Sequence, residues 1–343
     1  MHNFKHGETV RVINRDIVNT HRYRVRKKQL SLLPGTVTMR DEHLIQITYD
    51  DGGTEYHTPD NLESDEVKSP LKWHGGKFYL ASRIIQLIPK GITQYIEPYG
   101  GSLAVLLERD CSNCAEIVND LNNDLMRFWI VLQNDQSFKE FMRTVNAIPF
   151  SEMEFAKAYA RRETNGLNKP YHEIDRAVDF FVCCRQSRAG CFKDFATITR
   201  SRIRSGMNEQ VSAWLSSIER LPEVHARLQR VLILNRHAVD VIHQQDCPDA
   251  FFYLDPPYHS STRASNGQYA HEMSDNEHRE LLIALGNIQG KFILSGYRCE
   301  DYDKFSDICN WYRMDIDMPN NAAGGDVKRT MTESLWMNYK PEL

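Results

Sequence analysis

What the chain has little of narrows it first. No apolar run among its 343 residues approaches the roughly 20 needed to cross a bilayer, so no membrane helix is expected. The opening MHNFKHGETVRV has no apolar core of the kind a signal peptide carries, which points to a cytoplasmic chain. There are eight cysteines, but Cys111 and Cys114 find no second CxxC pair. No His-x-x-x-His run completes a zinc site, and Cys183, Cys184 and Cys191 stand apart from them. Reduced, mostly buried thiols and no metal are the expectation. Internal repeats and low-complexity runs are missing. An overall positive charge is missing too, since the net charge is −4, which argues against a uniformly basic nucleic-acid binder.

That average hides one asymmetry. Residues 176–236 hold eleven Lys/Arg against five Asp/Glu, a net of +6, leaving −10 on the rest of the chain. A local basic surface on an acidic protein suits contact with a phosphate backbone. A solvated helical face would account for the same residues.

The chain divides near Glu63-Ser64-Asp65-Glu66, a polar joint. Before it, in residues 1–66, GETVRVIN, PGTVTMR and HLIQITYDDGGTEYHT are short β-rich runs. Pro34-Gly35 and Asp51-Gly52-Gly53 punctuate them, and the last run reads as a hairpin. The pattern is that of a small SH3-like β module. Its basic string Arg22, Arg24, Arg26, Lys27 and Lys28 fits a DNA contact or a plain solvated loop. After the joint, in residues 67–343, strands and helices alternate. Strands are expected at 94–98, 115–119, 231–235, 250–254, 291–295, 311–317 and 333–338, several as continuous apolar runs that suit burial on both faces. Asn119-Asp120 opens one helical pattern, and Ser274-Asp-Asn-Glu277 is a capping box for another, with Gly286 or Gly290 as its stop. The expectation is a doubly wound, Rossmann-like α/β fold on a mostly parallel seven-stranded sheet, with ligands beyond the carboxyl ends of its strands.

The residues at those ends carry the chemistry. The first strand runs into Glu97-Pro98-Tyr99-Gly100-Gly101-Ser102 and a helix, a glycine turn that lets a ligand approach the backbone. A dinucleotide enzyme, or a tight turn without a ligand, would carry the same pattern. The second strand ends at Asp120, placed to hold the hydroxyls of a ribose or to cap a helix. The fourth ends in Asp255-Pro256-Pro257-Tyr258. Two prolines there remove two N–H donors and fix the backbone. The Asp255 carboxylate and the Pro256 carbonyl are left as acceptors beside an aromatic face, a set that suits a planar group bearing an NH₂.

With LKWHGGK (71–77), YIEPYGGSLAVLL (95–107), Asn119-Asp120, FFYLDPPY (251–258), YAHEMSDNEHREL (269–281), FILSGY (292–297) and KRTMTESLWMNY (328–339), the chain resembles the Dam-like, D12-class DNA adenine methyltransferases over about residues 69–340. The resemblance implies S-adenosylmethionine held by the glycine turn, with Asp120 on its ribose. Trp73, Gly75, Gly76 and Lys77 fall where the family's first cofactor motif lies. The family's cofactor loop ends in a glycine where this chain has Leu103, and the acid often found after the third strand has no clean counterpart beside Asn235-Arg236-His237. The contact to the cofactor's adenine ring therefore stays unassigned. Double-stranded DNA is the implied partner, in a bacterial or phage setting such as restriction-modification.

The mechanism the resemblance implies begins with an adenine flipped from the duplex and supported by Tyr258. Asp255 and the Pro256 carbonyl accept its amino hydrogens, and the freed lone pair attacks the methylsulfonium carbon. A ring-carbon cytosine enzyme would need a Pro-Cys nucleophile, and the chain has no Pro-Cys pair. The segment 135–230 is expected to read DNA, with Arg185, Arg188, Arg200, Arg202 and Arg204 as its contacts. The polar loop 259–273 is expected near the base, with His271 and His278 in structural roles. The alternatives are a cytosine-amino methyltransferase, which usually carries Ser in place of Asp255, an RNA or protein-glutamine target, a dinucleotide oxidoreductase, and a non-catalytic DNA-binding protein on the same fold.

Overall fold

The computed structural model describes residues 67–73, 75–110, 113–164, 171–196, 201–262, 271–319 and 330–342, together with five strands of the first 66 residues. The chain forms two compact units, Met1–Glu66 and Val67–Leu343.

In the first unit, Thr9–Val12, Gly35–Met39, Ile45–Tyr49, Thr54–His57 and Leu62–Ser64 form one antiparallel sheet. Ile45–Tyr49 and Thr54–His57 pair directly, as a hairpin requires. The DDGG turn and the basic string Arg22–Lys28 lie outside the described residues.

The second unit opens with helix α1 (Ala81–Leu87) and then alternates. In chain order come β1 (Gln94–Glu97), α2 (Ala104–Glu108), β2 (Ala115–Asn119) and α3 (Asn123–Gln133). The helices α4 (Asp135–Asn146), α5 (Glu152–Glu163), α6 (Glu173–Gln186), α7 (Glu209–Glu219) and α8 (Leu221–Leu228) form an insertion before the sheet resumes. Then follow β3 (Val231–Leu234), α9 (Ala238–Gln245), β4 (Ala250–Leu254), α10 (Asp275–Asn287), β5 (Lys291–Gly296), α11 (Glu300–Ile308), β6 (Tyr312–Pro319) and β7 (Thr330–Met337).

The seven strands lie in the order β3-β2-β1-β4-β5-β7-β6. Neighbours from β3 to β5 are parallel, while β7 runs antiparallel to both β5 and β6. This is the expected mostly parallel doubly wound sheet, and all seven expected strands are present. Strand β4 explains why the apolar runs are continuous. Tyr253 and Phe251 face one apolar cluster with α3 and α6, while Phe252 and Leu254 face another with α9 and α10. A strand covered by helices on both faces has no polar side to alternate.

The strand order reverses between β1 and β4, which pair with Ile96 opposite Phe252. The loops leaving these two strands therefore emerge side by side, where ligands bind in such sheets. The helix ends refine two expectations. Asn122, not Asp120, caps α3, its side chain accepting the Asp124 and Leu125 N–H groups. The capping box of Ser274 and Glu277 is present, but Gly286 lies within α10, and the helix stops at Ile288.

Candidate functional site

One cavity at the reversal point gathers the strand-end residues. Its lining includes Trp73, Gly75, Gly76 and Lys77, then Glu97, Pro98, Tyr99, Gly100, Gly101 and Ser102, then Asp120, then Asp255, Pro256 and Pro257. Every residue expected to hold the cofactor lines it, with three of the four residues of the DPPY turn. The fourth, Tyr258, is buried and does not line it.

The glycine turn is tied at several points. The Gly100 N–H donates to the Asn119 carbonyl at 2.7 Å, and the Gly101 N–H donates to Asp120 at 3.0 Å. Trp129 donates its indole N–H to the Gly101 carbonyl at 3.2 Å. Gly101 has φ 49°, and a Cβ on it would meet the Trp73 indole nitrogen at 3.1 Å, so backbone conformation and space both call for glycine here. Two residues on, Leu103 adopts φ 54°, ψ 31°. The chain keeps a glycine-like backbone where the residue is leucine. A left-handed residue costs roughly 1–2 kcal/mol, but this side chain is fully buried in the core, and burying a leucine contributes about 1.5–3 kcal/mol. Burial outweighs the strain.

Asp120 does two jobs. Its carboxylate accepts the Gly101 N–H and the Asn122 N–H at 2.9 Å, so it joins the glycine turn to the start of α3. Burial pushes its carboxyl up, and these N–H donors offset part of that rise. Asn119 bridges the Pro98 and Arg236 carbonyls at 2.9 and 3.0 Å, bringing the loop after β3 to the cavity. Arg236, His237, Ala238, Leu121 and Asn122 line that end, and His271, Glu272, Met273 and Glu277 line another part. Of these, the sequence points only to His271–Met273, as the end of the loop 259–273 expected near the base, and it implies a role in the site for none of them. Chain position would have pointed to Arg236–Ala238, since they follow a parallel strand.

The DPPY turn holds the largest surprise. Asp255 is not free: Lys77 binds both of its carboxylate oxygens, at 2.7 and 2.9 Å. The Lys77 ammonium also donates to the Gly75 carbonyl at 2.9 Å, lies 3.7 Å from Glu333 and sits 4.8 Å from the centre of the Tyr258 ring. The Tyr258 hydroxyl donates to Glu333, and its ring meets Tyr297 edge-on at 4.7 Å. Burial alone would discharge Lys77, but Asp255 and then Glu333 hold it charged and push its pKa up. Burial raises the Asp255 carboxyl, and Lys77 opposes that. Nearby, burial pushes Glu97 up to about 8, although it accepts the Tyr95 hydroxyl at 2.7 Å.

The segment carrying Trp73 and Lys77 is braced against the insertion. Trp73 packs on Phe180 and Phe192, with ring centroids 6.3 and 6.1 Å apart, and Lys72 donates to the Ser187 carbonyl at 3.2 Å. Gly190, at φ 73°, passes so close that a Cβ would lie 1.8 Å from the Lys72 carbonyl oxygen, which no side chain tolerates.

The arginines of the insertion separate. Arg188, Arg202 and Arg204 are exposed. Arg202 and Arg204 belong to a short hairpin, in which Ile203–Arg204 pairs with Met207–Asn208. Arg185 is partly buried and donates to the Ala213 carbonyl at 2.8 Å, bracing α6 against α7. Arg200 lies outside the described residues. His278 is fully buried and bonds the Tyr302 hydroxyl at 3.0 Å, a packing role as expected.

Comparison with known proteins gives a family match. The model of the D12 class N6 adenine-specific DNA methyltransferases matches residues 73–314. Among curated relatives, the type II methyltransferase M.MjaIII of Methanocaldococcus jannaschii is 24% identical over 292 residues, 80% of this chain and 100% of the relative. The DNA adenine methylase of Serratia marcescens is 27% identical over 57% of this chain and 68% of its own length. The DNA N-6-adenine-methyltransferase of Escherichia phage P1 is 26% identical over 64% of this chain, a match spanning 28% of the phage protein. Among solved structures, an rRNA methyltransferase of Streptomyces viridochromogenes is similar at 13% identity and a TM-score of 0.33, covering 80% of this chain and 88% of that one.

Proposed function

The chain belongs to the D12 class of N6 adenine-specific DNA methyltransferases, and we propose that its cavity binds S-adenosylmethionine beside a pocket for an adenine extruded from double-stranded DNA. The observation that carries this reading is the continuity of the cavity, whose wall includes the glycine turn, Asp120 and the Asp255-Pro256-Pro257 turn together. Donor and acceptor sites therefore adjoin.

The residues present fit the donor. Gly76 and Gly101 leave room against Ser102 and Trp73 that a Cβ would fill, each at 3.1 Å. Asp120 offers a carboxylate to ribose hydroxyls, and Leu121, His237 and Ala238 bound the space beyond it, where we assign the purine. When bound, S-adenosylmethionine supplies an electrophilic methyl group on a sulfonium.

The rest falls to the protein. Flipping the base costs a few kcal/mol. Asp255 and the Pro256 carbonyl accept hydrogen bonds from the two amino N–H groups, which turns the nitrogen lone pair away from the ring and toward the methyl group. The new N–C bond would replace the methyl's bond to sulfur, whose electron pair stays on sulfur, and the extra proton on nitrogen passes to water. The prolines keep competing N–H donors out of the turn. We assign Tyr258 the aromatic support of the base, from behind the cavity wall formed by Asp255, Pro256 and Pro257, where its bond to Glu333 fixes the buried ring and the base must reach it. For the duplex we assign Arg188, Arg202 and Arg204 as contacts, supported by their exposure in the basic segment, whereas the Arg185 guanidinium is spent on Ala213.

Transfer of tritium-labelled methyl groups to duplex DNA tests the reading. Asp255→Ala is expected to lose at least about a hundredfold in rate, the scale of removing one positioned hydrogen-bond partner of the transition state, while the donor still binds. Equal labelling by wild type and variant would remove the catalytic assignment. Digestion of the product should give N6-methyladenine; N4-methylcytosine would contradict the base assignment.

A further inference from the structure

The cluster around Asp255 contains an anion, inside the matching stretch 328–339, for which the sequence implies no role. Glu333 lies on β7, opposite Ile316 of β6, and is 3% exposed. It accepts the Tyr258 hydroxyl and stands 3.7 Å from the Lys77 ammonium. One buried carboxylate and one that is partly open to the cavity thus share one buried lysine. Lys77 is closed on Asp255 through both oxygens, at 2.7 and 2.9 Å, and an adenine amine needs one of those oxygens. Each oxygen has a second lone pair, but an amine that takes it competes with the ammonium, and Lys77 lessens that competition by releasing part of Asp255. A buried cation that leaves its only counter-ion is strongly unfavourable, but here a second anion waits within ion-pair reach.

We propose that Glu333 is a positioning residue for methyl transfer: it is the alternative partner of Lys77, which passes from Asp255 toward Glu333 as the base enters and so frees the carboxylate for the adenine amine. The inference rests on the reading of Asp255 given above. The step changes ion-pair and hydrogen-bond partners only. Lys77 keeps its proton, and no covalent bond forms or breaks. The same Glu333 oxygen holds the Tyr258 phenol, so the aromatic support and the lysine are set by one group.

Among the described residues, the titratable groups that face Glu333 come from two segments. Lys77 and Tyr79 come from the segment before α1, and Tyr253, Asp255 and Tyr258 from β4 and its turn. The three phenols are pushed up, chiefly by burial, and stay protonated. Asp315 and Asp317 of β6 bond to Ser334 and Thr332, whose side chains leave the sheet on the face opposite to Glu333. Neutralising Glu333 therefore removes one negative neighbour from Asp255 and leaves Asp255 the one carboxylate beside Lys77 among the described residues. Both changes make Asp255 easier to ionise.

Single-turnover methylation of duplex DNA across a pH series tests this, with wild type, Glu333→Gln and Glu333→Asp. Glu333→Gln is expected to slow transfer about tenfold or more, with affinities for S-adenosylmethionine and DNA within about twofold of wild type, and to move the acid limb of the rate profile to lower pH. Glu333→Asp keeps the charge, so it should return the acid limb to its wild-type position and recover most of the rate. A wild-type rate and profile in Glu333→Gln would overturn the inference. So would a rate loss with an unmoved acid limb that Glu333→Asp does not restore, the mark of a packing role. Should Glu333→Gln fail to fold by circular dichroism, Glu333→Asp is read alone, and an acid limb displaced downward in that variant would count against the proposal. Asp255→Ala runs beside them. If it methylates as wild type does, the reading of the site has failed; if it is inactive while Glu333→Gln behaves as wild type, only the role of Glu333 has failed.

Discussion

Glu97 closes β1 at 1% exposure, and burial pushes its carboxyl from an ordinary 4.5 up to about 8. The folded chain therefore keeps a proton that the unfolded chain has lost between those values. Its contribution to stability is fully present below about pH 4.5 and is lost as pH rises through about 8. Glu97→Gln removes that dependence. Thermal melts from pH 5 to 9 should show wild type losing stability toward alkaline pH, with the variant falling less, by a few degrees at the upper end; parallel curves would show that Glu97 is not the group responsible. Other single residues differ in how far sequence alone exposes them. The glycine turn and DPPY were legible because each is a contiguous run whose backbone chemistry speaks for itself. Leu103 was visible as a departure, but its left-handed backbone was not, since only the packing that buries it outweighs the strain. The Lys77 bond to Asp255 was not legible, because it joins two motifs that only the fold brings together.

At the scale of the element, the insertion shows why a charge run does not sort itself. Arg185 and Arg188 are three positions apart, yet one braces α6 against the Ala213 carbonyl and the other points to solvent. The short hairpin holds the clearest surface pair. Its turn residues Ser205 and Gly206 have φ 51° and 73°, the two positive values that a tight hairpin turn requires. Ile203 stands 77% exposed between Arg202 and Arg204. Arg202 makes only a loose pair with Glu209 at 3.7 Å, both in reach of solvent, so little stability rests on it. Arg202→Ala and Arg204→Ala are therefore expected to fold normally and bind DNA more weakly. Each lost phosphate contact should lower the slope of log affinity against log salt by about 0.9, with little change in methyl transfer at saturating DNA. Unchanged slopes in both variants would remove the hairpin from the DNA interface. Relaxed sequence preference with an unchanged slope would instead make the lost contact one to a base edge.

For the molecule as a whole, strand positions were legible because a sheet covered on both faces writes itself as apolar runs, as β4 shows. The pairing order was not, because nothing local states that β7 inserts between β5 and β6, and that insertion is what carries Glu333 to Asp255. The order also sets how ligand binding couples to stability. The proposed donor site draws on the segment before α1, on β1, β2 and β3 through their loops, and on the turn after β4, so a ligand there bridges most of the second unit. Binding to the folded state alone stabilises by about 2.7 kcal/mol at a hundredfold excess over Kd, which for a unit of this size is a rise of several degrees in Tm. S-adenosylmethionine should produce that rise in wild type and in Asp255→Ala, whose change lies at the amine end of the cavity. Asp120→Ala should lose it, since its carboxylate both holds the Gly101 N–H and faces the proposed ribose. An Asp120→Ala protein that gains as many degrees as wild type would detach the donor from the glycine turn. A rise lost in Asp255→Ala but kept in Asp120→Ala would mean that the two ends of the cavity have been assigned the wrong way round.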